Sequence, residues 1–130
     1  FSGWSHLQIE NIVTHCQFGH YTFLSTSAVD LSWPDDQFFQ MAQNKLWCEH
    51  LIQSMEMPSL IIRPGFVVGQ YDTSKRFEFR DARWVWKGTS DAVRPLVHID
   101  LLVGTMIKLI QSGHTGTVRA GYTKPRLTFN

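Results

Sequence analysis

The sequence predicts an α/β fold with a mainly parallel sheet and flanking helices, and three observations predict it. Apolar stripes at helical spacing alternate along the chain with short continuous apolar runs. Those runs are of the kind found in parallel strands buried on both faces. The order helix, strand, helix, strand, irregular segment, short strand, helix, strand places helical crossovers between successive strands. With 43% hydrophobic and 18% charged residues over 130 positions, the chain has the composition of one globular domain with a real core.

Each element has its own warrant. Ile9, Ile12, Val13 and Cys16 recur at helical spacing, with Ser5 as the expected cap and Gly19 as the expected stop. Tyr21 to Ser25 is an aromatic and β-branched run suited to a buried strand. Asp30 to Pro34 reads as loop, and Pro34-Asp35-Asp36 opens a second helix whose acidic start suits the positive end of the helix dipole. In that helix Phe38, Met41, Lys45, Cys48 and Ile52 share one stripe, and Pro58 closes the region. Leu60-Ile61-Ile62 is the next strand, before Arg63-Pro64-Gly65, followed by Val67-Val68-Gly69 and a polar loop from Gln70 to Lys75. Phe77 to Trp86 fits neither period and is expected to be helical or irregular. Val93 to His98 predicts a short strand. Asp100 is the expected cap of a third helix with the apolar face Ile99, Leu102, Val103, Met106, Ile107 and Ile110, stopped at Gly113. Thr117 to Ala120 is the last strand.

Charge and composition narrow the function classes. A formal net charge of +1 gives no field that would draw nucleic acid or an anionic membrane. No apolar run spans a bilayer and no signal-peptide pattern opens the chain. Two cysteines, Cys16 and Cys48, are expected as reduced thiols in a reducing compartment, which places the protein in the cytoplasm. Six scattered histidines show no metal-ligand spacing, and His98 reads as structural. The chain opens on Phe1 and is expected to be an excerpt of a longer protein. In a parallel sheet, ligands bind beyond the C-terminal strand ends, which singles out Ser25-Thr26-Ser27 and Arg63-Pro64-Gly65-Phe66. From periodicity alone, Lys45 reads as a lysine whose stem packs on the core while its head reaches water. Thr26 likewise reads as a strand-end hydroxyl bonded to backbone.

Four blocks carry a family resemblance: Phe23-Leu24-Ser25-Thr26-Ser27-Ala28-Val29, Asn44-Lys45-Leu46-Trp47-Cys48-Glu49, Leu60 through Arg63-Pro64-Gly65 to Gly69, and Val97-His98-Ile99-Asp100. In order and spacing they resemble the extended or atypical short-chain dehydrogenases/reductases of NAD(P)-dependent epimerase/dehydratase type. Each alone is weak; together they cover nearly the whole chain. The loop Gly69 to Phe77 further resembles epimerase-like and atypical members, relatives of chloroplast stem-loop RNA-binding proteins among them. The resemblance implies a partial Rossmann-like sheet, with residues 1–130 as the C-terminal portion of an NAD(P)-binding domain and part of its substrate-binding region. The family's G-x-x-G-x-x-G phosphate loop has no counterpart in this sequence.

The resemblance also implies a site. Thr26 falls at the catalytic hydroxyl position, and Lys45 at the position that holds the nicotinamide ribose and tunes the catalytic tyrosine. Ser25, Lys45, Pro64 and Val67 are implied cofactor contacts, with NAD or NADP as the cofactor. Tyrosine and lysine four residues apart share one helix face, and the cation moves the phenol's pKa toward working pH. Here, however, Met41 stands at the tyrosine position, and a thioether moves no proton. The expectation is therefore an impaired epimerase, dehydratase or reductase-like protein, or a non-catalytic dinucleotide-binding or regulatory member. Asp30 replaces an aromatic found in many extended members, and Tyr71 is a remote stand-in for the missing phenol. Arg76, Arg80 and Arg83 are either a phosphate-binding group or a solvated basic face. The implied partners are a small-molecule substrate, with nucleotide sugars as one candidate class, and a second copy of the chain through an open sheet edge. No membrane is expected, and nucleic acid is the least favoured partner.

Overall fold

The computed structural model describes residues 5–17, 19–30, 36–71, 73, 77–87 and 96–121. Helix α1 spans His6–His15. Ser5 precedes it in extended conformation, and its N–H donates to the Gln8 side-chain oxygen at 3.4 Å. Cys16 ends the helix by turning to φ −116°, so Gly19 is not its stop: an extended residue breaks the ladder, and no left-handed cap is used. Strand β1 (Tyr21–Leu24) follows, then a 3₁₀ turn at Ser27–Asp30. The expected loop from Asp30 thus begins as helical turn; positions 31–35 lie outside the described residues.

Helix α2 spans Asp36–Gln53 and keeps the expected stripe, with Met41 half-buried and Lys45, Cys48 and Ile52 buried. Its expected opening residues Pro34 and Asp35, and the Phe38 side chain, lie outside the described parts. The helix stops before Pro58, whose carbonyl instead accepts the Tyr21 N–H at 3.0 Å and sets β1 beside the next strand.

Strand β2 spans Ser59–Pro64, β3 Phe66–Val68, β4 Phe77–Arg80, β5 Arg83–Trp86, β6 Leu96–His98 and β7 Gly116–Ala120, with helix α3 at Ile99–Gln111. The main sheet is parallel in the order β1-β2-β7, with Phe23 beside Ile61 and Ile62 beside Val118. β3 and β6 form a second parallel pair, with Val67 beside Val97. Alternation along β2 sends its side chains to two cores. Ile61 packs with Ile9, Tyr21, Phe23, Cys48 and Ile52 under α1 and α2. Leu60 and Ile62 pack with Val97 and Leu102 under α3. The result is a partial Rossmann-like α/β fold, a parallel sheet between helices. Burying each large aliphatic side chain of this kind contributes about 1.5–3 kcal/mol.

Two further expectations are corrected. Phe77–Trp86 is neither helix nor irregular but an antiparallel hairpin, β4 against β5. Its two-residue turn, Asp81 and Ala82, has φ of 53° and 60°, the left-handed pair that matches strand twist. In register Phe77 lies opposite Trp86 and Phe79 opposite Trp84, so the aromatic positions pair across the two strands. The period-2 pattern is reflected through the turn, and no single periodic window can read across it. The second correction is at α3: His98, not Asp100, is the N-cap, its Nδ1 accepting the Asp100 N–H at 3.2 Å. Of the expected apolar face only Leu102 is fully buried; Ile99, Val103, Ile107 and Ile110 are 39–49% exposed. Gly113 does close α3, at φ 68°, with His114 N–H returning to the Leu109 carbonyl at 3.0 Å. The short strand expected from Val93 is observed from Leu96; positions 93–95 lie outside the described residues.

Candidate functional site

The parallel sheet brings three strand ends together. After β1, the Ser25 N–H continues the pairing by donating to the Ile62 carbonyl at 2.7 Å. After β2, the Gly65 N–H donates to the Ala120 carbonyl at 2.8 Å. Ser25-Thr26 and Pro64-Gly65 therefore lie side by side on one edge of the sheet.

Lys45 is fixed to this edge from α2. Its side chain is 9% exposed, and its Nζ donates to the Leu24 carbonyl at 3.0 Å while lying 4.9 Å from the centre of the Phe23 ring. The stem packs on the core, as periodicity alone suggests, but the head turns to the strand end instead of to open water. Burial lowers the ammonium's pKa from its ordinary 10.5, and the Cys48 thiol beside it acts in the opposite direction. The Cys48 thiol is pushed up from 9.0 by its own burial, against the pull of Lys45.

The hydroxyls divide. Ser25 is 5% exposed, and among the described residues its Oγ has no hydrogen-bond partner, an orphaned polar atom at the end of β1. A buried hydroxyl without a partner costs about 1–3 kcal/mol, and such atoms are rare without a reason. Thr26 is half-buried, and its Oγ1 accepts the Ala28 N–H at 3.2 Å. That bond uses an acceptor lone pair and leaves the hydroxyl proton to donate.

The remaining sequence candidates spread outward. Pro64 is buried at the end of β2 beside Ala120. Val67 packs on the α3 side of the sheet, in the cluster of Leu60, Ile62 and Val97. Met41 is half-buried on α2, one turn before Lys45. Tyr71 is 87% exposed in the turn after β3. Arg80 and Arg83 are exposed and lie opposite each other at the hairpin end; Arg76 lies outside the described residues. Among the described residues no group of three His, Cys, Asp or Glu side chains can hold a metal, and no helix is long and apolar enough to cross a membrane.

Sequence reasoning missed one pair. Glu49, 1% exposed on α2, receives both Arg63 Nε at 3.0 Å and a second Arg63 nitrogen at 2.5 Å. The signal was present in two motifs: a glutamate on an apolar stripe and an arginine closing an apolar strand. Each implies a buried charge, and buried charges require partners.

No protein-family model matches the chain, and no curated protein matches it. Three solved chains do. One is a UDP-glucuronic acid 4-epimerase from Bacillus cereus, solved with UDP-glucuronic acid and NAD. It superimposes with a TM-score of 0.62 at 17% identity, over 92% of this chain and 45% of that one, so this chain spans less than half the length of that structure. At that identity the likeness is one of fold.

Proposed function

We propose that this chain carries the lysine and hydroxyl side of a nicotinamide-dinucleotide site in a protein of epimerase/dehydratase type, with residues 1–130 as its C-terminal portion. The carrying observation is the Lys45 ammonium, buried on its stem and held at the end of β1 by the Leu24 carbonyl, with the partnerless Ser25 hydroxyl in the next residue. These are the residue types the family resemblance asks for, at the strand ends where α/β sheets bind ligands. The solved neighbour that binds NAD and UDP-glucuronic acid supports the same reading.

The donors present fit such a group. Lys45 would hold it through ammonium protons not given to Leu24, and Ser25 would satisfy its orphaned hydroxyl on it. Pro64 lies at the end of β2 beside the site, and Val67 backs β3 from the α3 side of the sheet. The nicotinamide, when bound, supplies hydride exchange. Thr26 holds the substrate oxygen through its hydroxyl proton. Lys45, whose pKa burial lowers from its ordinary value, orients the bound group. The substrate class is a small hydroxylated or carbonyl compound, with nucleotide sugars favoured by the neighbour.

Met41 shapes the outcome. It occupies the turn before Lys45 and has no proton to give. Loss of a general acid-base group typically costs on the order of a hundredfold to ten-thousandfold in rate. The natural protein is therefore a slow enzyme, or a binding member that senses the dinucleotide. Met41→Tyr separates the two. Assayed over a panel of nucleotide sugars and small carbonyls with NAD(H) and NADP(H), the substitution is expected to raise turnover with a pH dependence set by the new phenol. Fast turnover by the natural protein, unchanged by Met41→Tyr, would overturn the role given to Met41.

A further inference from the structure

Lys45 keeps its ammonium at the strand end although a carboxylate sits one turn away on its own helix. Side chains four apart on a helix lie within about 5–6 Å of each other. Lys45 and Glu49 have that spacing and are both buried, at 9% and 1% exposure. An unopposed pair so placed would join, because a buried carboxylate needs a cation. The structure shows otherwise. Both Glu49 oxygens are taken by Arg63, through Nε to Oε1 at 3.0 Å and the second nitrogen to Oε2 at 2.5 Å, while Lys45 Nζ donates to the Leu24 carbonyl at 3.0 Å. This two-bond fork is the strongest form of carboxylate recognition a side chain offers. Cys48 and Tyr21, which share this cluster, are both pushed up by burial and so stay neutral, leaving Glu49 as the competing anion.

We propose that Arg63 is a positioning residue: by claiming both oxygens of Glu49 it stops that carboxylate from capturing the Lys45 ammonium, and so keeps the ammonium at the end of β1. The proposal rests on reading Lys45 as the cation of the site. Arg63 lies on β2, next to Pro64 at the same sheet edge, so the clamp also fixes the roll of α2 relative to the strand ends. The Arg-Pro-Gly block thereby acquires a role for its first residue that involves no contact with ligand.

The test reads Lys45 itself. In the natural protein with isotopically labelled lysine, the Lys45 side-chain resonance, assigned by its loss in Lys45→Met, is titrated with pH. In Arg63→Met the freed Glu49 carboxylate captures the ammonium, and the Lys45 pKa is expected to rise by about one unit or more, tenfold in ionisation constant. In Glu49→Gln/Arg63→Met no carboxylate remains, and the rise is expected to vanish. No rise in the single variant, or an equal rise in both, overturns the proposal. Should Arg63→Met fail to fold, the exchange Glu49→Arg/Arg63→Glu decides, since it retains an ion pair. It puts a cation one turn from Lys45 and is expected to lower that pKa below the natural value; an unchanged value overturns the proposal. None of these readings requires a bound dinucleotide, so a failure of nicotinamide binding leaves them legible.

Discussion

Gly69→Ala probes the join between β3 and α3. Gly69 is buried, and a Cβ built on it would lie 2.6 Å from Ile99 Cγ2 and 3.4 Å from Ile99 Cβ. Carbon atoms settle at about 3.5–4.0 Å, so roughly an ångström of movement is required. Ile99 cannot supply it by turning, because a β-branched residue in a helix has one strongly preferred rotamer. Ile99 is also the first residue of α3, next to the His98 cap and to the β3–β6 pairing of Val68 with His98. Moving it disturbs the cap and the ladder together. Overpacking of this kind costs about 1–3 kcal/mol. The assay is urea unfolding of the natural protein, Gly69→Ala, Ile99→Ala and the double variant. A double-mutant cycle should return a coupling of about 1–2 kcal/mol, since Ile99→Ala removes the clashing methyl. Ile99→Val retains Cγ2 and should not rescue. A loss under about 0.5 kcal/mol for Gly69→Ala, the range of neutral surface changes, or strict additivity in the cycle would refute the reasoning.

Three further outcomes are expected. Lys45→Ala should weaken dinucleotide binding in the natural protein by calorimetry, whereas Thr26→Ala, whose hydroxyl bonds the Ala28 N–H, should leave it nearly intact; equal negligible effects would remove Lys45 from the site. Lys45→Met should stabilise the fold below the folded-state pKa of Lys45, where the natural chain buries an ammonium. That pKa lies under the unfolded 10.5, so the unfolded chain binds more protons in the window between them, the natural stability gains with rising pH, and the advantage of the variant fades as pH approaches 10.5. Urea midpoints across that range showing a flat or widening gap would contradict the burial of the charge. Under native conditions, iodoacetamide should label exposed Cys16 quickly and buried Cys48 only on unfolding, read by intact mass; prompt double labelling would place Cys48 outside the core.

What was legible in the sequence was whatever repeats in a fixed period. Leu60-Ile61-Ile62 reads as a strand buried on both faces because each of its side chains is apolar, and it is one. The α2 stripe placed Lys45 among Met41, Cys48 and Ile52 correctly, for the same reason. The hairpin escaped because its aromatic alternation reverses at Asp81-Ala82, a turn that carries no glycine to announce it. The α3 face was overdrawn because a wholly apolar list does not say which third of a helix meets the sheet; Leu102, Met106 and Leu109 do, and Val103 and Ile107 do not. At the site, periodicity could bring Lys45 to the core but not say where its ammonium points, since that direction is set by a carbonyl on another element. Glu49 and Arg63 were each visible, but pairing across 14 positions is a tertiary fact.

The bond from Lys45 to the Leu24 carbonyl has one more effect, on assembly. Along β1 alternate residues address opposite sides, and Ser25, like Tyr21, turns its N–H inward to β2. Leu24 therefore offers its carbonyl outward, on the side that faces no other described strand. An incoming strand, from this polypeptide or another, must compete there with an ammonium already in place. The rim of the sheet is thus blunted at one rung by a charged side chain, the device by which proteins discourage indiscriminate strand addition.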